Sequence, residues 1–312
     1  MAFNGKGKWE TYIDRDLSAG GKVLYKADNG EIQTKLFNSK RGVAIIPNVG
    51  LDLKPSNSLK TNYNNEKSFN AIIGKKGFSS YVSELIGCKE SDILDMDVEF
   101  TDSSPPSYND DLLSSPRLFS QANFYCSLLS FLESSDDTDS VQIIGAFDNQ
   151  QNNNLSRNST VFLNEVIHSI FKGKNISEVN SKSIIVSCQS IDGRHPLNKT
   201  ITDEACAKLG KGVSLNTSFR SPVASEPIGN GFIYNLSENQ IQTNTHKNMR
   251  TGIPTIGPVL ALSTGIRTVD IGIPVLANGS IRETMVWKDV VSMFNLITKI
   301  FSNIETLSKF EH

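Results

Sequence analysis

The hydrophobic pattern of this chain changes character at one polar stretch, Thr101 to Asp111, which contains Pro105-Pro106 and reads as a crossing between two units. Before it, β-rich runs at Lys22 to Lys26 and Ile32 to Phe37 flank Asp28-Asn29-Gly30. Asn-Gly between such runs is a strong hairpin signal, because both turn residues need positive φ. Val43 to Ile46 adds a strand, and Phe78, Tyr81, Val82, Leu85 and Ile86 keep helical spacing until Gly87 offers a stop. Residues 1–95 therefore read as a small β-dominated unit, and residues 96–312 as a second one.

The second unit alternates. A helix from Leu118 carries Ala122, Tyr125, Leu128, Leu129 and Leu132 on its apolar face, and the run Val141 to Phe147 reads as a buried strand. A helix near Ser159 to Phe171, a strand at Ile184 to Val186 and another at Val269 to Ile273 follow. The last helix, about Val286 to Leu307, places Val290, Met293, Ile297, Ile300, Ile304 and Leu307 on one stripe, with Lys288 and Asp289 off it. Strands alternating with helices predict an α/β fold, a helix-covered mixed sheet that is largely parallel.

Composition narrows the function classes. The 312 residues are 38% hydrophobic and 21% charged, with a formal net charge of −2. That balance offers no basic field for nucleic acid or an anionic membrane. The start Met-Ala-Phe-Asn-Gly-Lys has no apolar signal core, and no run reaches the roughly 20 apolar residues of a membrane helix. A cytoplasmic protein is the expectation. Cys88, Cys126, Cys188 and Cys206 lack Cys-x-x-Cys spacing and read as buried free thiols. With four histidines and neither a phosphate loop nor a dinucleotide fingerprint, triad and nucleotide chemistry find no support.

Several blocks carry a resemblance that covers nearly the whole chain. Trp9-Glu-Thr-Tyr-Ile-Asp-Arg-Asp-Leu17, Ile46-Pro47 through Leu53, Ser115-Pro-Arg-Leu118, Asp148-Asn-Gln-Gln151, Thr255-Ile-Gly-Pro258 and Leu276-Ala277 with Ser280-Ile-Arg-Glu283 stand in order. Together they resemble the aspartyl aminopeptidases, dizinc exopeptidases that include the vacuolar aminopeptidase. The resemblance implies a zinc-exopeptidase-like α/β domain plus a smaller β-rich dimerisation domain inserted into it. On that alignment Met1 falls at the start of the inserted domain, so the catalytic domain is incomplete here. The segment that carries the family's His-x-Asp ligand pair precedes it.

The family's chemistry is altered at each matching position. The bridging aspartate after Ser-Pro-Arg-Leu corresponds to Phe119, the general-base glutamate to Gln150, and the glutamate ligand to Gln151. The aspartate of the family's Ser-Ala-Asp-Met segment corresponds to Gln189 and the last histidine ligand to Gly279. An amide cannot take a proton from water at neutral pH, and neutral side chains do not offset a pair of divalent cations. Asp52 stands where the dimerisation domain contributes a histidine across the interface, and Asp192 where a further histidine follows the ligand segment.

The resulting expectation is a catalytically inactive homologue without zinc, structural or regulatory, in a homo-oligomer or co-assembled with an intact relative. Asp52, Asp148, Asp192, His195, Lys211 and Arg282 are the candidates for lining a residual pocket, and Arg282 with Glu283 for an internal ion pair. Two alternatives stay open: a working zinc aminopeptidase acting on N-terminal acidic residues, and an incomplete or split product that needs a partner chain.

Overall fold

The computed structural model describes residues 9–48, 69–74, 76–134, 139–147, 162–197, 205–217, 223–238, 240–245 and 255–310. They fall into two compact units, one of Met1–Pro106 with Ser280–Arg282, the other of Ser107–Gly279 with Glu283–His312.

Unit 1 is built on the expected hairpin. β1 (Asp16–Lys26) and β2 (Ile32–Asn38) run antiparallel from Gly20↔Asn38 to Lys26↔Ile32. Their turn is closed by Ala27 N donating to Glu31 O at 2.8 Å, and Asn29 Oδ1 accepts from Glu31 N at 3.0 Å. β3 (Ala44–Ile45) pairs with the start of β1, and β4 (Ile93–Asp102) pairs along its other side. Helix α1 (Phe78–Ile86) covers one face and ends at Gly87, whose N–H reaches Ser83 O. Period-two alternation sends Leu17, Ala19, Val23, Phe37 and Phe100 inward with Val82 and Ile86.

Unit 2 begins with β5 (Ser107–Asn109) and β6 (Leu112–Ser115), joined by a tight turn, and α2 (Leu118–Glu133). Helices α3 (Phe162–Ile170) and α4 (Ile176–Ser181) lead to β7 (Ile184–Cys188) and β8 (Ile191–Asp192). β9 (Ser214–Asn216), α5 (Pro227–Leu236), β10 (Gln242–Asn244) and α6 (Ile256–Thr264) follow. The chain closes with β11 (Arg267–Gly272), β12 (Pro274–Val275), β13 (Glu283–Val286), α7 (Trp287–Ser302) and a 3-10 turn at Ile304–Phe310. The main sheet has the order β10-β9-β11-β7, with β8·β12 and β5-β6-β13 as smaller sheets.

The architecture is mixed α/β, but the largely parallel sheet is corrected. Among the described residues six of nine strand pairings are antiparallel. Parallel neighbours need a long crossover, and tight turns such as those after β1 and β5 allow only antiparallel return. Val141 to Phe147 is not a strand: it is irregular, with Val141 53% and Ile143 40% exposed. An apolar run becomes a strand only where a neighbouring backbone completes its ladder, and none pairs with it among the described residues.

Two further expectations shift. In α2, Tyr125 and Leu132 are exposed, whereas Leu118, Asn123, Cys126 and Ser130 are buried. The small side chains of Cys126 and Ser130 let α7 approach, with Ser130 Oγ donating to Phe294 O at 3.0 Å and the Cys126 thiol directed at Val290 O. Along α7, Val290, Met293, Ile297 and Ile300 are buried as expected, but so is Asp289.

Candidate functional site

The N-terminus of α2 gathers three positions that lie far apart in sequence. Arg117, with φ 61°, turns the chain into the helix. The orphan N–H of Phe119 donates to Glu283 Oε2 at 2.7 Å, and the N–H of Gly279 donates to Glu283 Oε1 at 2.8 Å. A carboxylate here satisfies a free donor of the first turn and lies at the positive end of the helix dipole. On the other side, Phe119 O accepts from Ser190 N at 3.1 Å and from Asn123 Nδ2 at 2.9 Å.

Asn123, wholly buried, extends this link. Its Nδ2 also donates to Ser190 Oγ at 2.7 Å, and its Oδ1 accepts from Ile273 N at 3.3 Å. Gln189, just past the end of β7, donates its N–H to Ile271 O of β11 at 3.0 Å. These backbones touch at Gly272, where an added Cβ would overlap the Gln189 carbonyl. Glu283 thus bridges Phe119 and Gly279, and Gln189 precedes Ser190, which bonds Phe119, just past the end of β7.

Their donor chemistry does not fit a dizinc centre. Phe119 offers an aromatic ring, Gln189 a buried carboxamide and Gly279 no side chain. Gly279 also has φ 74°, a left-handed backbone that strains any L side chain, a histidine included. Glu283 is the carboxylate among them, and both of its oxygens already accept backbone hydrogen bonds. Among the described residues, no group of three or more His, Cys, Asp or Glu stands close enough to hold a metal ion. Gln150 and Gln151 lie outside the described residues, as do Asp52 and Asp148.

The remaining candidates are placed separately. Asp192 ends β8 opposite Val275. His195 follows in a loop, where its Nδ1 accepts from Leu197 N at 3.2 Å. Lys211 is exposed between Gly210 and Gly212, whose N–H groups each donate to the Asp289 carboxylate at 2.7 Å. Burial pushes the Asp289 carboxyl up, against those two bonds. In unit 1, Arg282 Nη1 meets Asp102 Oδ2 at 3.3 Å and Ser104 O at 3.2 Å, and Nη2 donates to Pro105 O at 2.9 Å. In unit 2, Glu283 begins β13 opposite Ser115.

Sequence reasoning missed Asn123, Asp289 and Asp270. Asp270 sits in β11 with its Oδ2 accepting from Ala224 N at 2.7 Å, and burial raises its pKa against that bond. A lone carboxylate inside Val269-Asp-Ile-Gly-Ile273 was the available signal.

The fold and these positions define a metallo-aminopeptidase scaffold. The chain belongs to the M18 family, the aminopeptidase I zinc metalloproteases, whose profile matches residues 1–301. It is 30% identical over 307 residues to a probable M18 family aminopeptidase 2 of Borreliella burgdorferi, covering 93% of this chain and 71% of that protein. It is 26% identical over 368 residues to an aspartyl aminopeptidase of Dictyostelium discoideum, covering 97% and 75%. In fold it is similar to a chain in the cryo-EM structure of the Ape4 and Nbr1 complex, with TM-score 0.85, 22% identity, and 99% and 67% of the chains covered. The crystal structure of yeast aminopeptidase 1 (Ape1) gives TM-score 0.76 at 22% identity, covering 97% and 73%. Among the described residues no helix is long and apolar enough to cross a membrane.

Proposed function

We propose that this chain is a non-catalytic M18 homologue that acts through assembly, with copies of itself or with an intact relative. The observation that supports the reading is the donor set: Glu283 bridges the backbone N–H groups of Phe119 and Gly279, Gln189 adjoins the Ser190 that bonds Phe119, and none of the three presents an imidazole or a carboxylate. Hydrolysis by this family's route needs bound metal to generate the nucleophile, and the loss of a general base alone costs about 10²- to 10⁴-fold in rate. Gln150 at the base position supports the same reading from sequence.

In this proposal residues 1–95 act as the dimerisation domain, residues 96–312 are the retained peptidase-like part, and the protein works in the cytoplasm. That a similar fold occurs in a complex of Ape4 with Nbr1 supports a partner-binding role. Asp192, His195 and Lys211 in unit 2, and Arg282 in unit 1, are the residues proposed for residual peptide contacts.

The test joins three measurements on the full chain. After equilibration with excess zinc and desalting, substoichiometric metal and no release of Asp or Glu from an acidic N-terminus are expected. Native mass spectrometry, alone and with an intact M18 aminopeptidase, is expected to show oligomers. Stoichiometric zinc with peptide hydrolysis would overturn the inactive assignment, and monomer under every condition would overturn the assembly role.

A further inference from the structure

Four Asn-Gly pairs occur in the chain, beginning at Asn4, Asn29, Asn230 and Asn278, the first of them outside the described residues. In such a pair the glycine nitrogen, which no Cβ screens, can attack the asparagine Cγ and close a five-membered ring. Two conditions govern the reaction: the carboxamide must be free to turn toward that nitrogen, and a base must stand ready for its proton.

Two of the described pairs fail these conditions. Asn29 Oδ1 accepts from Glu31 N at 3.0 Å and its Nδ2 donates to Glu31 Oε2 at 2.7 Å, so the side chain is held at both ends. Gly30 N donates to Ala27 O at 2.8 Å, and a peptide carbonyl is too weak a base to take the proton. Asn230 and Gly231 lie inside α5, where Asn230 N bonds Glu226 O at 2.9 Å and the helical backbone does not allow the ring.

Asn278 meets both. Leu276 and Thr284 exchange backbone hydrogen bonds at 2.9 and 3.1 Å and anchor the turn that holds it. Ala277 and Gly279 on either side are left-handed, at φ 59° and 74°. Asn278 is half-buried, and among the described residues no hydrogen bond holds its side chain. The N–H of Gly279 donates to a carboxylate, Glu283 Oε1, at 2.8 Å. We infer that Asn278 is a self-modification site, deamidated by its own backbone with Glu283 as the base.

Glu283 Oε1 takes the Gly279 amide proton as that nitrogen bonds to Asn278 Cγ. The Cγ–Nδ2 bond then breaks, and Nδ2 leaves with the proton as ammonia, giving a succinimide. Water opens the ring at one of its two carbonyls, yielding aspartate where the new bond breaks and isoaspartate where the original peptide bond does. The ring has no Gly279 N–H, so its formation frees one oxygen of Glu283, and its opening leaves an added negative charge at position 278. The inference does not depend on the assembly reading.

The test ages the purified full chain at neutral pH, digests samples at mildly acidic pH, and follows each Asn-Gly peptide by mass spectrometry. Asn278 is expected to convert about tenfold or more faster than Asn29 and Asn230 in the same sample. In Glu283→Gln, shown by circular dichroism to be folded, the Asn278 rate is expected to fall about tenfold or more while that of Asn29 is unchanged. An Asn278 that stays intact, or converts no faster than Asn29, overturns the inference, as does an undiminished rate in the folded variant. If Glu283→Gln does not fold, the comparison within the wild-type chain alone decides.

Discussion

Glu283 accepts the backbone N–H of Phe119 at 2.7 Å, while its other oxygen holds Gly279. One carboxylate thus ties two distant segments together by their main chains, whatever their side chains are. Glu283→Gln turns one acceptor into a donor facing an N–H group. The variant is expected to lose about 1–3 kcal/mol of stability. Urea unfolding checks this, and an unshifted midpoint would show that the link carries no weight.

Gly272 lets β11 pass against the Gln189 carbonyl. Alanine there forces backbone to move, not a flexible side-chain tip. A loss of about 3 kcal/mol or more is expected for Gly272→Ala by chemical denaturation. A cost near that of a surface change would contradict the close approach.

Asp102 carries an acid-side dependence. Burial acts to raise its pKa, but the N–H and hydroxyl of Ser104, the Arg282 guanidinium and the charge of Arg15 together hold it below the usual range. A depressed folded pKa contributes stability above the unfolded value of about 3.9 that is lost as pH falls through the folded one. Asp102→Asn is expected to flatten the stability curve of unit 1 below about pH 4. Parallel acid limbs for variant and wild type would refute it.

Asp289 has the opposite sign. Its folded pKa is raised, so its contribution is full below about pH 4 and is lost as pH rises through the folded value. Asp289→Asn should remove that decline while weakening the hold on Gly210 or Gly212. Unfolding midpoints measured upward from pH 4 separate the two effects, and an unchanged slope would count against the titration.

Metal linkage gives a further check. A ligand that binds only the native state raises its stability with concentration. Added zinc, or its removal by a chelator, is expected to leave the melting temperature where it was. A zinc-dependent rise of several degrees would mean that donors are present after all.

Much of the fold was legible from local chemistry. Asn29-Gly30 marked the hairpin, Gly87 the end of α1, and the spacing of Val290, Met293, Ile297 and Ile300 the buried side of α7. Each depends on neighbours in the chain. What failed depended on partners far away: Val141 to Phe147 has strand composition without a ladder, and the buried side of α2 was decided by how closely α7 could pack. The link between Phe119 and Gly279 was not legible in the sequence. Glu283 holds Phe119 and Gly279, and Asn123 holds Phe119, through main-chain groups whose partners no side-chain pattern announces.

The left-handed turn at Gly279 makes repair of this pocket more than a matter of exchanging side chains. A histidine placed there must either endure a conformation costing roughly 1–2 kcal/mol or swing the peptide away and surrender the grip of Glu283. Each single reversion therefore begins with a penalty and, while the other donors are still wanting, brings no cation to offset it. On the reading proposed above, regaining a metal would take several coordinated changes, so the inactive form would be a valley with steep sides.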